Sequence, residues 1–239
     1  MQLTNQRLLK IAEFVGKADC ICDIGTDHAY LPIYLVEKGQ TRTAIASDVR
    51  KGPLRIAHKN IVDAGLSEKI SIILSDGFAK FSPKDFDVAV IAGMGGHLLI
   101  EIISRNLPVS RSVNHLVVQP NMDIEFCREW LFNNKFDVIK EVLVRDAGKI
   151  YVIMKVVPVE KKVAYNKDDV ILGPHLKFGH DPLMELYVDK LIKRRKKRLT
   201  GLLVSGTKEN LFEADRIEAD LLLIRKVEED ENSRHSKST

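Results

Sequence analysis

The stretch "CICDIGTDHAYLPIYL", Cys20–Leu35, predicts an apolar strand that runs into a turn and then into a helix. In α/β proteins that bind nucleotides, a turn of this kind holds the glycine-rich loop. Here the loop has a single glycine, Gly25, and the next three residues are Thr26, Asp27 and His28. The sequence therefore places a carboxylate and an imidazole in a loop that commonly binds a cofactor through its backbone.

Short apolar runs alternate with amphipathic segments from this stretch to about Val157. Further strands are predicted at Thr43–Asp48, Ile70–Asp76, Phe86–Gly93 and Asn114–Pro120, and a β-hairpin is predicted around the turn Asp146–Lys149. Nearly continuous apolar strands separated by helices favour a parallel sheet that is covered on both faces. Five such strand–helix units ending in a hairpin predict an α/β fold, a Rossmann-like class I methyltransferase domain with a seven-stranded, mostly parallel sheet.

The chain changes character after Pro158, where it becomes polar and carries several glycines and prolines. Two helical stretches follow. The first has an apolar stripe from Met184 to Leu202 that a basic block interrupts, and the second has apolar residues alternately three and four apart from Ala214 to Ile224. Such a pair predicts an antiparallel helical hairpin that resembles a coiled coil. We therefore expect a cofactor-binding catalytic domain over residues 1–160 and a linker with a helical hairpin over residues 161–239.

Composition limits the class of protein. The 239 residues are 45% apolar, which suits one full α/β domain with a smaller appendage. No apolar run approaches the roughly 18–20 residues that span a bilayer, and the N-terminus lacks a secretory signal. The three cysteines, Cys20, Cys22 and Cys127, have neither disulfide nor zinc spacing. We expect a cytoplasmic monomer with no membrane partner and no bound metal.

Polar residues and glycines end four of the predicted strands. Because the carboxyl ends of parallel strands meet at one edge of a sheet, these residues are expected to form a cofactor site there. Asp48, which lies 25 residues after Asp23, suits ribose hydroxyls, and Asp76 suits an adenine amino group. The predicted cofactor-binding residues are Asp23, Gly25, Thr26, Asp48, Val49, Asp76, Gly77, Gly93, Met94 and Gly95.

The type of loop discriminates between cofactors. Dinucleotide sites use G-x-G-x-x-G because the pyrophosphate lies on the helix N-terminus, and that pattern is absent here. Asp27 would repel a pyrophosphate, whereas S-adenosylmethionine has no phosphate and carries a sulfonium and an ammonium. The predicted cofactor is S-adenosylmethionine. Each aspartate alone is equally consistent with a solvated or helix-capping role, so the prediction depends on their combination.

Several motifs together resemble one family. They are "DIGTDHAYLPI", "GPLRIAHKNI", "SDG", "IAGMGGHLLIEII", "VVQPN", "REWL" and "GKIYVI". In this order they resemble the bacterial tRNA (adenine-22-N1)-methyltransferase family from about Leu8 to Val157. The resemblance implies a class I methyltransferase domain with a C-terminal coiled-coil domain. It also implies tRNA as the partner and methyl transfer from S-adenosylmethionine to N1 of adenine 22.

The same resemblance implies catalytic and substrate residues. Asp27 matches an aspartate at the catalytic centre, and Gln119, Pro120 and Asn121 stand where related adenine methyltransferases place residues beside the target base. Adenine N1 has a free lone pair, so the reaction needs positioning and electrostatic stabilisation of a cationic product ring. A carboxylate at Asp27 suits that need. Its alternative role is to cap the following helix.

Other residues near Asp27 have weaker assignments. His28 is predicted at the catalytic centre in a structural or base-contacting role, not as an obligate base. Asn121 offers a donor and an acceptor to an adenine edge, and its alternative is a turn residue after Pro120. Tyr30 is predicted to stack on a base, and its alternative is a place in the core.

The second domain carries a run of six basic residues, "KRRKKR". The run comprises Lys193, Arg194, Arg195, Lys196, Lys197 and Arg198. Such a run suits phosphate backbones, and its alternative is a solvated helix surface. Because N1 lies on the Watson–Crick edge, the target base must be unpaired, which favours a structured RNA held by shape.

Three other functions compete with this interpretation. The first is a methyltransferase with another RNA or small-molecule acceptor, although the missing Pro-Pro-aromatic motif after the fourth strand disfavours N6 of adenine. The second is an NAD-dependent oxidoreductase, which the absent glycines disfavour. The third is a non-catalytic RNA-binding protein on the same fold.

Overall fold

The computed structural model describes residues 3–177, 181–205 and 207–235. These residues form two compact units that divide between Ala164 and Tyr165. The first unit contains the whole sheet, and the second contains three helices. Each unit is described by itself.

The first unit is a seven-stranded sheet with helices. Its strands are β1 (Ala18–Ile24), β2 (Thr41–Asp48), β3 (Ile70–Leu74), β4 (Val88–Gly95), β5 (His115–Met122), β6 (Phe136–Asp146) and β7 (Lys149–Pro158). Its helices are α1 (Gln6–Val15), α2 (Tyr30–Glu37), α3 (Lys51–Asp63), α4 (Gly96–Arg105), α5 (Leu107–Ser110) and α6 (Ile124–Asn133). The strand order is β3-β2-β1-β4-β5-β7-β6.

The pairing of the strands confirms the predicted fold class. Strands β1 to β5 are mutually parallel, and β7 lies antiparallel between β5 and β6. The central strands are apolar on both faces, since every residue of Val88–Ile91 is buried. This is the pattern of a parallel sheet that is covered on both sides. The chain order reverses between β1 and β4, which creates a crevice at the carboxyl ends of these two strands.

Two local features differ from the prediction. The connection from β3 to β4, residues 75–87, contains turns and no helix, so the strand–helix alternation is interrupted once. Strand β4 also continues to Gly95, beyond the predicted end at Gly93. Its pairing with β5 shifts register on both sides of Met94, which accommodates Gly93 at φ +80°. The strand therefore ends in an irregular segment directly at the crevice.

Gly96 has a packing role at the start of α4. A Cβ atom there would lie 2.7 Å from the carbonyl oxygen of Asp123 and 2.9 Å from that of Met122. These are backbone atoms, which cannot move aside as the end of a flexible side chain can. The end of β5 and the start of α6 therefore approach α4 this closely only because residue 96 is glycine.

The second unit consists of α7 (Lys167–Ile171), α8 (Met184–Ser205) and α9 (Lys208–His235). Arg198 of α8 pairs with Glu213 of α9, and Arg195 lies 3.7 Å from Asp220. From Arg195 to Arg198 along α8, the partner on α9 moves back from Asp220 to Glu213. The two helices therefore run antiparallel, which confirms the predicted hairpin. Asp220 also pairs with Lys167 of α7, so this carboxylate of α9 contacts side chains from both of the other helices.

Neither a membrane span nor a metal cluster is found in the part of the chain that the structure describes. Among these residues, no helix is both long enough and apolar enough to cross a bilayer. The same residues contain no group of three or more His, Cys, Asp or Glu side chains arranged to hold a metal ion.

Candidate active site

A cavity of about 430 Å³ opens at the crevice between the carboxyl ends of β1 and β4. Seven residues that the sequence predicted for the site line it: Asp23, Gly25, Thr26, Asp27, His28, Tyr30 and Gly93. The loop after β1 therefore forms most of one wall, as its sequence indicated.

Backbone hydrogen bonds fix this loop at both ends. The N–H groups of Gly25 and Thr26 donate to the carbonyl oxygen of Ser47, at 2.8 and 2.9 Å. Farther along, the side-chain amide of Asn60 on α3 donates to the carbonyl oxygen of His28, at 2.9 Å. Gly25 has φ +78°, in the left-handed region that favours glycine. The loop is thus held between β2 and α3 in a conformation that requires Gly25.

Asp27, His28 and Tyr30 form a polar and aromatic group at the cavity. The Asp27 carboxylate lies 3.1 Å from His28 Nε2 and is 69% exposed. The His28 and Tyr30 rings are stacked, with their centroids 5.1 Å apart. Tyr30 is 42% exposed, so its alternative place in the core is wrong. The group presents one carboxylate beside a pair of rings.

The capping alternative for Asp27 is also wrong. Helix α2 begins at Tyr30, its N-cap residue is Ala29 at φ +56°, and no side chain caps it. Asp27 lies two residues before the N-cap, where its carboxylate faces His28 instead of the helix N–H groups. The carboxylate therefore does not serve as the cap of α2.

Asp23 lies in the cavity wall below this group. Burial raises the pKa of its carboxyl to about 6, and the nearby carboxylate of Asp48 adds to this increase. The Thr26 side chain and the Arg7 guanidinium act in the opposite direction. Asp23 and Arg7, both of which line the cavity, give one part of it charges of both signs.

A chain of side-chain hydrogen bonds runs behind the cavity. Arg7 donates through Nη1 to Gln119 Oε1, Gln119 donates to Asn121 Oδ1 at 3.0 Å, and Asn121 donates to the carbonyl oxygen of Gly93 at 2.7 Å. Gln119 is fully buried. The Arg7 guanidinium also lies over the ring of Tyr151, 5.4 Å from its centroid. The chain joins α1 to the ends of β5 and β4.

Residues at the ends of β2 and β3 occupy the neighbouring edge. Asp48 is buried and accepts a hydrogen bond from the N–H of Arg50 at 2.7 Å, whereas Val49 is 60% exposed. Asp76 is exposed and pairs with Arg105 on α4, and Gly77 has φ +53°. These predicted residues lie outside the lining of the cavity.

Met94 and Gly95 complete the irregular end of β4. A Cβ atom on Gly25 would lie 2.2 Å from Met94 Cε, so the Met94 side chain covers the loop after β1. Gly95 faces the Met122 side chain, and Pro120 is buried in β5. Neither Met94 nor Gly95 lines the cavity.

The predicted basic run lies on α8 in the second unit. Five of its members are exposed: Lys193, Arg194, Lys196, Lys197 and Arg198. Arg195 differs, because it is 8% exposed and its guanidinium faces Asp220. Arg198 makes two hydrogen bonds with Glu213, and Lys193 lies 3.6 Å from Asp189. Part of the positive charge of the run is therefore paired within the unit.

Sequence reasoning missed six lining residues: Arg7, Leu8, Ala29, Leu31, Arg50 and Ala92. Arg7 and Leu8 belong to α1, which the sequence indicated only as an amphipathic helix. Arg50 immediately follows the predicted ribose-binding strand end, so its position beside Asp48 was a usable signal. The contact of Arg7 with Gln119 spans 112 positions and has no local sequence signal.

Comparison with known proteins gives a consistent result. The sequence model of the TrmK family, tRNA (adenine(22)-N(1))-methyltransferase, matches residues 21–226. The Bacillus subtilis tRNA (adenine(22)-N(1))-methyltransferase is 31% identical over 176 residues, which cover 72% of this chain and 74% of that protein.

Two solved structures of relatives contain a cofactor. A Streptococcus pneumoniae protein in complex with S-adenosyl-L-methionine is 35% identical, with a TM-score of 0.81 over 94% of this chain and 99% of that chain. The TrmK of M. capricolum, in complex with S-adenosyl-homocysteine, is 26% identical, with a TM-score of 0.76 over 92% and 95% of the two chains.

The raised pKa of Asp23 predicts a pH-dependent stability. The pKa of Asp23 in the folded protein is about 6, whereas its ordinary value is 3.8. The ionised carboxyl therefore lowers the free energy of unfolding above pH 6, and this destabilisation disappears as the pH falls towards 4. Asp23→Asn should therefore raise the free energy of unfolding at pH 8 by about 1–3 kcal/mol, and by much less at pH 4. Urea denaturation at both pH values measures the difference.

The exposed carboxylate of the loop after β1 supplies the control. Asp27→Asn should not reproduce the gain at pH 8, because Asp27 is 69% exposed. An equal gain from Asp23→Asn at pH 4 and pH 8 would contradict the assignment of the effect to ionisation.

Proposed function

The chain belongs to the tRNA (adenine(22)-N(1))-methyltransferase family, and on that premise we propose which of its residues perform the methyl transfer. The protein transfers a methyl group from S-adenosylmethionine to N1 of adenine 22 in tRNA. The main support for the residue assignments comes from the cavity, where an exposed Asp27 lies beside the stacked rings of His28 and Tyr30.

The residues of the cavity fit S-adenosylmethionine. Gly25 and Gly93 both line the cavity with positive φ, and a Cβ on Gly25 would clash with Met94 Cε, 2.2 Å away. Asp23 and Arg7 supply an anion and a cation, which suit the ammonium and the carboxylate of the methionine moiety. The volume of about 430 Å³ falls in the range of small-molecule sites.

Neighbouring strand ends suit the nucleoside moiety. One Asp48 oxygen accepts from the Arg50 N–H, which leaves the other oxygen for a ribose hydroxyl. Asp76 pairs with Arg105 and keeps further acceptor capacity for an adenine amino group. We assign Val49, Gly77 and Met94 to the same part of the site.

When bound, the cofactor supplies a methyl group on a sulfonium. Adenine N1 is already nucleophilic, so the residues of this chain need to hold the base and stabilise the positive charge that develops on it. Asp27 is placed to do both, because its carboxylate accepts from the exocyclic amine and opposes the ring charge. His28 orients that carboxylate, with Nε2 at 3.1 Å.

The target adenine must leave its stack to reach the cavity. The Tyr30 ring, 42% exposed and stacked on His28, offers an aromatic surface for the unpaired base. Asn121 is exposed and keeps one N–H and one lone pair beyond its bonds to Gln119 and Gly93, which suit an adenine edge. Pro120 and Gln119 support Asn121 from β5.

The two units have different tasks in this proposal. Residues 1–160 bind the cofactor and the adenine, and residues 161–239 contact tRNA through the exposed members of the run Lys193–Arg198. Arg195 is assigned to the hairpin instead, because it faces Asp220. The free thiols of Cys20, Cys22 and Cys127 support a cytoplasmic location.

A methylation assay tests the proposed reaction. With labelled S-adenosylmethionine, a tRNA transcript with A at position 22 should be labelled and the same transcript with G at position 22 should not, because only adenine has the N1 acceptor with a free lone pair. Equal labelling of both transcripts would contradict the site of methylation, and labelling of neither would contradict the tRNA substrate.

Asp27→Ala should abolish methyl transfer because the cationic product ring loses its carboxylate. Cofactor affinity should stay within about tenfold, or roughly 1.4 kcal/mol, of the parent. Single-turnover assays and calorimetric titration measure the two effects. Asp63→Ala, which removes an exposed carboxylate on α3, is the control and should keep full activity. A larger loss of cofactor affinity would assign Asp27 to the methyl-donor site.

Arg7→Ala should lower the affinity for S-adenosylmethionine at least about tenfold, because the methionine carboxylate loses its cationic partner. Affinity for 5′-methylthioadenosine, which lacks the amino-acid moiety, should change less than about twofold. Isothermal titration calorimetry with each ligand measures the two changes in affinity, and Lys10→Ala on the same helix is the control. An equal loss for both ligands would show that Arg7 acts only through Gln119.

A further inference from the structure

The exposed surface of α3 is basic and contains no acidic residue over its first turns. Residues 50–60, "RKGPLRIAHKN", include Arg50, Lys51, Arg55 and Lys59 and neither Asp nor Glu. All four cations are exposed. Lys51, Arg55 and Lys59 are spaced four residues apart, so they lie along one side of the helix over about 12 Å.

Three cations of α3 lack ion pairs of the kind that Lys193, Arg195 and Arg198 have on α8. Within the described residues, no carboxylate lies in salt-bridge distance of Lys51, Arg55 or Lys59, whereas Arg50 lies 3.7 Å from Asp48. An unpaired cation keeps its full charge for a partner. An anionic polymer therefore gains more binding free energy per cation on α3 than on a surface whose cations already have carboxylate partners.

The basic side of α3 lies next to the cavity. Arg50, which immediately precedes α3, lines the cavity itself. Lys51, Arg55 and His58 line a groove of about 360 Å³ that has an apolar floor of Leu54, Ile72 and Leu74. The positive charge thus continues from the cavity along the helix to the edge strand β3.

We propose that the α3 surface, defined as Lys51, Arg55, His58 and Lys59, is a docking site for the phosphate backbone of the tRNA substrate. The inference rests on the proposed function, which makes a tRNA the substrate. A nucleic acid fits better than a protein because the cations are unpaired, regularly spaced and adjacent to the place where the target base must enter. Phosphates held there position the RNA next to the cavity without contact to its bases.

The test is a triple variant, Lys51→Gln/Arg55→Gln/Lys59→Gln, in the full chain. Its affinity for the A22 tRNA transcript should fall at least about tenfold at 0.1 M KCl. The slope of log K against log [KCl] should decrease by about two to three, because each lost phosphate contact removes roughly one unit. Fluorescence anisotropy measures both, and S-adenosylmethionine affinity should stay within about twofold.

A matched triple variant, Lys17→Gln/Lys69→Gln/Lys135→Asn, controls for net charge. These lysines are exposed and immediately precede β1, β3 and β6, at the opposite edge of the sheet. Asparagine tolerates the left-handed conformation of Lys135, at φ +62°. This control should bind tRNA within about twofold of the parent.

The outcomes separate this surface from the proposed reaction. If the α3 variant binds tRNA as the parent does, or if the control variant loses as much affinity, the docking site is overturned. Methylation of the A22 transcript by the parent, measured in parallel, would in that case leave the proposed function intact. A parent that neither binds nor methylates tRNA overturns both.

Discussion

The hydrogen-bond chain from Arg7 through Gln119 and Asn121 to the Gly93 carbonyl holds the active edge of the sheet together. It connects α1 with the ends of the neighbouring parallel strands β5 and β4. Gln119 is fully buried, so loss of any one partner leaves an amide without its hydrogen bond, at a cost of about 1–3 kcal/mol. The left-handed backbone of Gly93, and with it the shape of the cavity, depends on this chain.

Charges of both signs line the cavity, whereas the exposed surface of α3 carries only cations over its first turns. Asp23 and Asp27 make the interior favourable for a cationic donor and for a base that becomes cationic. The same carboxylates repel the phosphates of an RNA, so cations outside the cavity suit the RNA backbone better than its interior does. The exposed lysines and arginines of α3 and α8 are available for that role. Affinity for RNA and chemistry on its base are thus assigned to separate surfaces.

The sequence predicts those parts of the fold and site that depend on local pattern. Apolar runs located the strands, and a glycine followed by Asp27 and His28 at a strand end located the cavity wall. Arg7 could not be found this way, because its role depends on Gln119, 112 positions away. The inward position of Arg195 has a similar cause. Because the side chains of six consecutive helical residues point in several directions, at least one of them must face the neighbouring helix. That this residue is Arg195, which meets Asp220, depends on how α8 and α9 pack against each other.

The paired charges of Asp23 and Arg7 also bear on inhibition. A nucleotide with a polyphosphate chain meets no phosphate-binding glycine motif here, and Asp23 and Asp27 offset the positive charge of Arg7 and Arg50 in the lining. The demethylated form of the cofactor keeps the same amino-acid moiety and has lost only a methyl group and the sulfonium charge. The groups that admit the donor therefore also retain its product. From the proposed cofactor site we therefore expect inhibition of the enzyme by its own product.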